Sequence, residues 1–149
     1  MRNGAAVTAT VLFLSATAAL AQATGTPFYQ AIRKNDISAL RDLIGTSGVD
    51  TRDRRGTTPL MYAAVAGSMD AMKLLLEAGA DVNAKNAFDA TALMWAAGDI
   101  GKVRLLLAKG ADVNARSKIG RTPLVIAALH DGSSEIARLM LDKGAGLKA

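Results

Sequence analysis

His130 is the only imidazole in the sequence, and no cysteine accompanies it. Nucleophilic or acid–base catalysis needs a reactive group and a base held within hydrogen-bond reach of each other, and no local hydrolase or metal motif supplies such a pair. His130 is therefore expected to be a solvated loop residue, and turnover unchanged by His130→Ala would remove the enzymatic alternative. Asp81, Asn83, Asp112 and Asn114 offer oxygens that calcium could use, but they recur at long spacing instead of converging within one loop. Bonding to turn backbone is their expected role, and neither a metal nor a cofactor is expected. Gly98-Asp99-Ile100-Gly101-Lys102 carries the glycine and lysine of a phosphate loop, yet lacks its spacing and the preceding strand.

What positions these side chains is a unit that repeats. Thr58-Pro59-Leu60-Met61-Tyr62-Ala63-Ala64 returns 33 residues later as Thr91-Ala92-Leu93-Met94-Trp95-Ala96-Ala97, and 31 residues after that as Thr122-Pro123-Leu124-Val125-Ile126-Ala127-Ala128. The run from Gly79 through Asp81 and Asn83 returns at Gly110 and, degraded, at Gly144. A period of this size implies stacked supersecondary units, each too small to bury its apolar face alone. Thr58 is placed to cap a helix whose first position suits Pro59. Leu60, Ala63, Ala64 and Gly67 then give one small apolar face, and Ala71, Met72, Leu75 and Leu76 give a second helix its own. Gly79 ends that helix in the left-handed region, and Asp81 and Asn83 lead into an extended finger.

The units run over residues 26–52, 53–85, 86–116 and 117–149. The first is imperfect: Thr26-Pro27 opens a helix, Asn35-Asp36 turns the chain, and Ile37, Leu40, Leu43 and Ile44 face inward. Its polar Gln30, Arg33, Lys34 and Arg41 suit an N-terminal cap. The third unit is two residues shorter between its helices, and has Asp89 where its neighbours have Gly56 and Gly120. Aspartate tolerates the left-handed conformation better than most residues. The fourth carries an extra residue near His130, so length variation clusters in one loop.

This pattern resembles the ankyrin repeat, whose 33-residue period and Thr-Pro-Leu-His core are matched by Thr58-Pro59-Leu60 and Thr122-Pro123-Leu124. Met61, Met94 and Val125 replace the histidine, so greater reliance on apolar packing is expected. The resemblance covers the chain from Thr26 onward. It implies an all-α solenoid of helix-turn-helix units with hairpin fingers, about four repeats, acting as a non-enzymatic protein–protein interaction module through its concave groove and finger tips. On that reading Tyr62, Trp95 and Ile126 form a stripe turned away from the inter-repeat core, with Gln30 in the corresponding place of the first unit. Arg54, Arg55, Phe88, Lys118 and Arg121 would join them from the fingers. The alternative for Tyr62 and Trp95 is that the rings pack on each other within a larger core.

Residues 1–21 have the character of a cleavable secretory signal. Arg2 precedes an apolar stretch from Ala5 to Leu20, and Ala19-Leu20-Ala21 offers a cleavage site, with Ala21-Gln22-Ala23 as the alternative. Thr8, Thr10, Ser15 and Thr17 interrupt a stretch shorter than the ~20 residues of a spanning helix, which argues against a retained anchor and against membrane association after cleavage. The Ala-rich leader points to a bacterial protein, periplasmic or secreted, whose ankyrin-like domain is 22–149. Cleavage takes one base, Arg2, and no acid, lowering the +5 of the whole chain to +4. The mature chain stays basic, with Arg52, Lys85 and Arg116 adding to the cationic finger tips, although Asp53 and Asp89 interrupt the row. Export disfavours nucleic acid, so a protein with an acidic surface is the expected partner. Ile136, Leu139, Met140 and Leu141 have no polar cap beyond them. That predicts self-association at the C-terminal end, or a docking module of a larger exported protein or enzyme.

Overall fold

The computed structural model describes residues 26–147. The expected signal segment and its cleavage sites lie outside them. Eight helices follow in order: α1 (Pro27–Lys34), α2 (Ile37–Ser47), α3 (Pro59–Ala66), α4 (Met69–Glu77), α5 (Ala92–Trp95), α6 (Ile100–Ala108), α7 (Pro123–Ala127) and α8 (Ser134–Asp142). Odd-numbered helices stack on one another as an inner layer, α1 on α3, α3 on α5 and α5 on α7; even-numbered helices form an outer layer in the same order. Each inner helix also packs on the outer helix that follows it. The described residues thus form an all-α solenoid of four helix-turn-helix units, without a strand.

The local chemistry of each unit sets its boundaries. Thr26, Thr58 and Thr122 are the N-caps of α1, α3 and α7, each accepting a backbone N–H three residues on, with proline at the first helical position. Asp36, Ser68 and Asp99 cap outer helices in the same way. Thr91 makes no such bond, and α5 is only 4 residues long. The two missing residues of repeat three are therefore taken from the end of its inner helix as well as from the turn. The outer helices α4, α6 and α8 end in a Schellman arrangement: Gly79 (φ +92°), Gly110 (φ +87°) and Gly144 (φ +89°) occupy the left-handed region. The following N–H reaches back to Leu75, Leu106 and Met140 respectively.

The core is continuous from Phe28 to Met140 and runs between the layers. Helix α3 is buried on nearly every side, from Pro59 through Ala64, because α1 and α5 flank it and α4 lies behind it. The single small face expected from Leu60, Ala63 and Ala64 is thus too narrow a description. Met61 and Met94 fill the expected histidine position with buried apolar side chains. In the last repeat, Ile136 and Met140 face inward instead of leaving the C-terminal side bare; the exposed apolar residues there are Val125, Leu129, Leu141 and Leu147.

A side-chain ladder joins the repeats at the turns after the outer helices. Asp50 accepts the Asp81 N–H at 3.0 Å. One repeat on, Asn83 accepts the Asp112 N–H at 2.7 Å while its amide donates to Gly110 O at 3.0 Å. Asn114 repeats both bonds, to Gly146 N–H at 2.7 Å and Gly144 O at 3.0 Å. Asp81 and Asp112 fold back on their own turns, each accepting the N–H two residues on. The expected turn role thus holds for the aspartates, whereas the asparagines reach across to the next repeat.

Candidate binding surface

The fingers are built on Asp53, Asn86 and Ser117, which occupy one register in successive repeats. Asp53 Oδ1 accepts the N–H groups of Arg55 and Thr57, both at 2.8 Å. Asn86 Oδ1 does the same for Phe88 at 2.9 Å and Ala90 at 3.0 Å, and Ser117 Oγ accepts the Arg121 N–H at 3.1 Å. Each turn closes through a left-handed residue: Gly56 (φ +71°), Asp89 (φ +56°) or Gly120 (φ +76°). Asp89 takes over the glycine position as its neighbours' sequences predict. The tips are then tied together, Arg55 O accepting Ala87 N–H at 2.8 Å and Phe88 O accepting Lys118 N–H at 3.0 Å. Arg52 spans the first joint, its guanidinium donating to Gly56 O at 3.2 Å and Lys85 O at 2.8 Å.

This backbone places the candidate side chains unequally. Arg54 and Lys118 project into solvent, while Arg55, Phe88 and Arg121 are half-buried. Ile119, which the sequence reading passed over, is 51% exposed beside Lys118. Its signal was the repeat spacing, which puts it in register with Arg55 and Phe88. Asp53 keeps its charge within the basic row, but its carboxylate is turned to three hydrogen bonds, from the Arg55 and Thr57 N–H groups and the Tyr62 hydroxyl.

Tyr62 and Ile126 are corrections to the expected stripe. Tyr62 is 2% exposed and Ile126 6%. The Tyr62 ring meets Tyr29 edge-on at 5.5 Å and Trp95 at 6.2 Å, a file of aromatics crossing three repeats. Its hydroxyl donates to Asp53 Oδ2 at 2.5 Å, so the finger base lies over the ring. Burial, then the bond to Asp53 and the charge beside it, push the Tyr62 phenol far above its ordinary value. Helical spacing within one unit could not reveal that the unit's own finger and the neighbouring rings cover this position. Trp95 keeps partial exposure, with its indole N–H covered and lacking an acceptor.

Trp95 borders a cavity of about 310 Å³ at the loop end of the inner helices, lined also by Val65, Ile126, Lys102 and His130. The cavity lies where α5 stops short between α3 and α7. Lys102 Nζ donates to Ala64 O at 3.1 Å, satisfying a carbonyl at the C-terminal end of α3 where cations are favoured. Asp99 caps α6 through Lys102 N–H at 3.1 Å, so the glycine-lysine run that resembles a phosphate loop is a helix start. His130 stands over Gly98, at ordinary van der Waals distance from where a side chain there would begin.

The family model described as ankyrin repeats (3 copies) matches residues 3–86, 28–117 and 85–149. The chain belongs to the ankyrin repeat family. Among curated ankyrin relatives, the chain is 46% identical over 59 residues to delta-latroinsectotoxin-Lt1a from Latrodectus tredecimguttatus, covering 38% of this chain and 5% of the toxin. It is 45% identical over 67 residues to inversin from Mus musculus, covering 44% of this chain and 6% of inversin. A third relative is the ankyrin repeat, SAM and basic leucine zipper domain-containing protein 1 of Carollia perspicillata, 39% identical over 57 residues, with 38% and 12% covered. The chain thus spans a small fraction of the length of these relatives. Ankyrin repeats are protein–protein interaction modules and are generally non-enzymatic.

Proposed function

We propose that this ankyrin repeat protein acts by binding another protein, without turnover of its own, along the groove side of its inner helices and across the finger tips. The partner presents an acidic surface. The observation that carries this reading is the register of the fingers: Arg54 and Lys118 stand exposed on turns that are hydrogen-bonded to one another, with Ile119 and half-buried Phe88 beside them. A row held rigid in this way loses little freedom on binding. Trp95 supplies an aromatic edge at the groove, in place of the buried Tyr62 and Ile126. Residues 1–21 direct export and are removed, so the partner is periplasmic or extracellular, and neither nucleic acid nor a membrane is engaged after cleavage. Part of the same reading is self-association through the apolar C-terminal end.

Affinity capture from a periplasmic extract, run in parallel with an Arg54→Gln, Lys118→Gln variant, tests the surface. The variant is expected to lose the captured protein chiefly through slower association at low salt, since exposed charges act across a Debye length of about 8 Å at physiological ionic strength. Trp95→Ala should weaken binding by ~2 kcal/mol, through faster dissociation and at any salt. Identical capture by wild type and the charge variant at every ionic strength would defeat the acidic-partner reading. A lower melting temperature with unchanged affinity would make Trp95 purely a core residue. Mass spectrometry of the exported protein should find Met1 to Ala21 removed; an intact N-terminus would refute the signal.

A further inference from the structure

Lys102 is out of character for its place in the repeat. Counted from the N-caps Asp36, Ser68, Asp99 and Ser133, the third residue of the outer helix is Ala39, Ala71, Lys102 and Ile136 in successive repeats. Ala71 is 0% exposed and Ile136 5%, and Ala39 packs against the core, so the position belongs to the seam between the two helix layers. Repeat three puts an ammonium there. Withdrawing a cation from water is costly unless it is paired, yet among the described residues no carboxylate is ion-paired with Lys102. Its bond to Ala64 O at 3.1 Å uses one of the three donors that an ammonium carries.

The same repeat provides the space beside this cation. Lys102 lines the cavity of about 310 Å³ left by the short α5, whose walls come from repeats two, three and four, away from either end of the stack. Between repeats one and two the equivalent turn is closed: a side chain at Gly67 would begin 2.8 Å from Ala63 Cα and 2.9 Å from Ile32 Cγ2. At Gly98, in the same register, the nearest atom is 3.5 Å away, on His130. Val65, Met94, Trp95 and Ile126 make the cavity walls apolar, while Lys102 and Asp99 bring charge from the start of α6. Asp99 is exposed, and capping α6 occupies one of its two oxygens. A cation and an anion thus border one cavity without being ion-paired to each other. A ligand of single charge would be drawn to one and repelled by the other, whereas a dipolar headgroup satisfies both. The volume is at the small end of the roughly 300–1,000 Å³ of ligand sites, which suits one apolar side chain on such a headgroup.

We propose that this cavity binds a free α-amino acid with an apolar side chain, its carboxylate on the Lys102 ammonium, its own ammonium on the Asp99 carboxylate, and its side chain against Trp95, Val65 and Ile126. The ligand is held without reaction. The site shares Trp95 with the proposed partner groove but does not rest on it, because it needs no second protein.

Trp95 is the single tryptophan of the sequence, so its fluorescence reports on the site directly. L-Leucine added to protein expressed from the full sequence should change that fluorescence saturably, and calorimetry should return the same affinity. N-acetyl-L-leucine keeps only the carboxylate and L-leucine amide only the ammonium; each should bind roughly tenfold or more weakly than L-leucine, a hydrogen bond between charged groups being lost. Asp99→Asn retains an oxygen to cap α6, and Lys102→Gln retains a donor for Ala64 O. Each should weaken L-leucine by roughly tenfold or more, while Asp99→Asn should leave N-acetyl-L-leucine bound no more weakly than before. No saturable binding at millimolar L-leucine, a derivative that binds as well as L-leucine, or full affinity in both variants would each overturn the site. Should Lys102→Gln fold poorly, Asp99→Asn and the two derivatives on the unaltered chain still decide the matter. Partner capture is scored separately: L-leucine binding by a chain that captures no protein leaves only this site standing, and capture by a chain that ignores L-leucine leaves only the groove.

Discussion

The asparagine ladder can be dissected at a single atom. Replacing Asn83 by aspartate keeps the oxygen that accepts the Asp112 N–H but removes the amide that donates to Gly110 O. Replacing it by alanine removes both. A hydrogen bond of this kind contributes about 0.5–1.5 kcal/mol net, so Asn83→Asp should cost about 1 kcal/mol and Asn83→Ala about 2 kcal/mol. For a domain of this size roughly 4 °C of melting temperature corresponds to 1 kcal/mol, which places the two variants about 4 and 8 °C below wild type. The first joint supplies the reverse experiment. There Asp50 accepts the Asp81 N–H through both carboxylate oxygens, at 3.0 and 3.2 Å, but a carboxylate cannot donate to the neighbouring Gly79 carbonyl. Asp50→Asn adds the missing donor while weakening a charge-assisted acceptor, so a gain of up to about 2 °C is expected. Thermal melts followed by circular dichroism measure all three, and amide exchange at Asp112 should rise in Asn83→Ala before the rest of the chain responds. If aspartate at position 83 melts with wild type, the donated bond to Gly110 O contributes nothing, and if alanine does so too, the ladder does not hold the joint.

Other consequences concern packing and pH. The Tyr62 phenol is pushed above the usual tyrosine value of ~10, so the folded state resists its ionisation. The stabilisation is complete below ~10 and is lost as pH rises further; Tyr62→Phe should flatten that alkaline loss relative to wild type in urea melts. Leu75 is fully buried between the helix layers, and Leu75→Ala should cost ~2–5 kcal/mol by denaturant titration, whereas a midpoint within error of wild type would mean the outer helix faces elsewhere. A side chain at Gly67 would begin 2.8 Å from Ala63 Cα and 2.9 Å from Ile32 Cγ2, so Gly67→Ala should destabilise by ~1–3 kcal/mol. Gly45→Ala, in an open helical site, should instead be neutral or stabilising by up to ~1 kcal/mol; equal effects at the two positions would refute the close packing of repeat two on repeat one.

Most of the architecture could be read from residues whose role is local. Thr58 before Pro59, Gly79 after Glu77 and Asp89 in the place of Gly56 each act within a few bonds of their own backbone, and each is found doing so. The misread positions depend on what a neighbouring segment does. Tyr62 lies on the groove side of its helix, but Asp53, nine residues earlier, swings the finger base over it, and Tyr29 and Trp95 close it in from the adjoining repeats. Asn83 was legible as a turn former, yet its partners are in the next unit. Ile136 and Met140 were assigned to the uncovered end because an outer helix shows two apolar rows in sequence, and only the fold decides which row faces the core. The exposed Ile119 needed no structure, only the alignment of one finger with the next.

The ladder and the fingers also divide the labour of evolution along the molecule. From Asp50 to Asn83 the spacing is 33 residues and from Asn83 to Asn114 it is 31, while each rung accepts a backbone N–H of the next repeat. The rungs fix the pitch of the stack at one edge, and the shortening of repeat three is absorbed at the other, where α5 loses its last turn and Lys102 bridges back to Ala64. Material can therefore be gained or lost at that edge without disturbing the finger row. The notch beside Trp95 is the natural place to graft a new loop, which would inherit a rigid frame and leave the finger tips as they are.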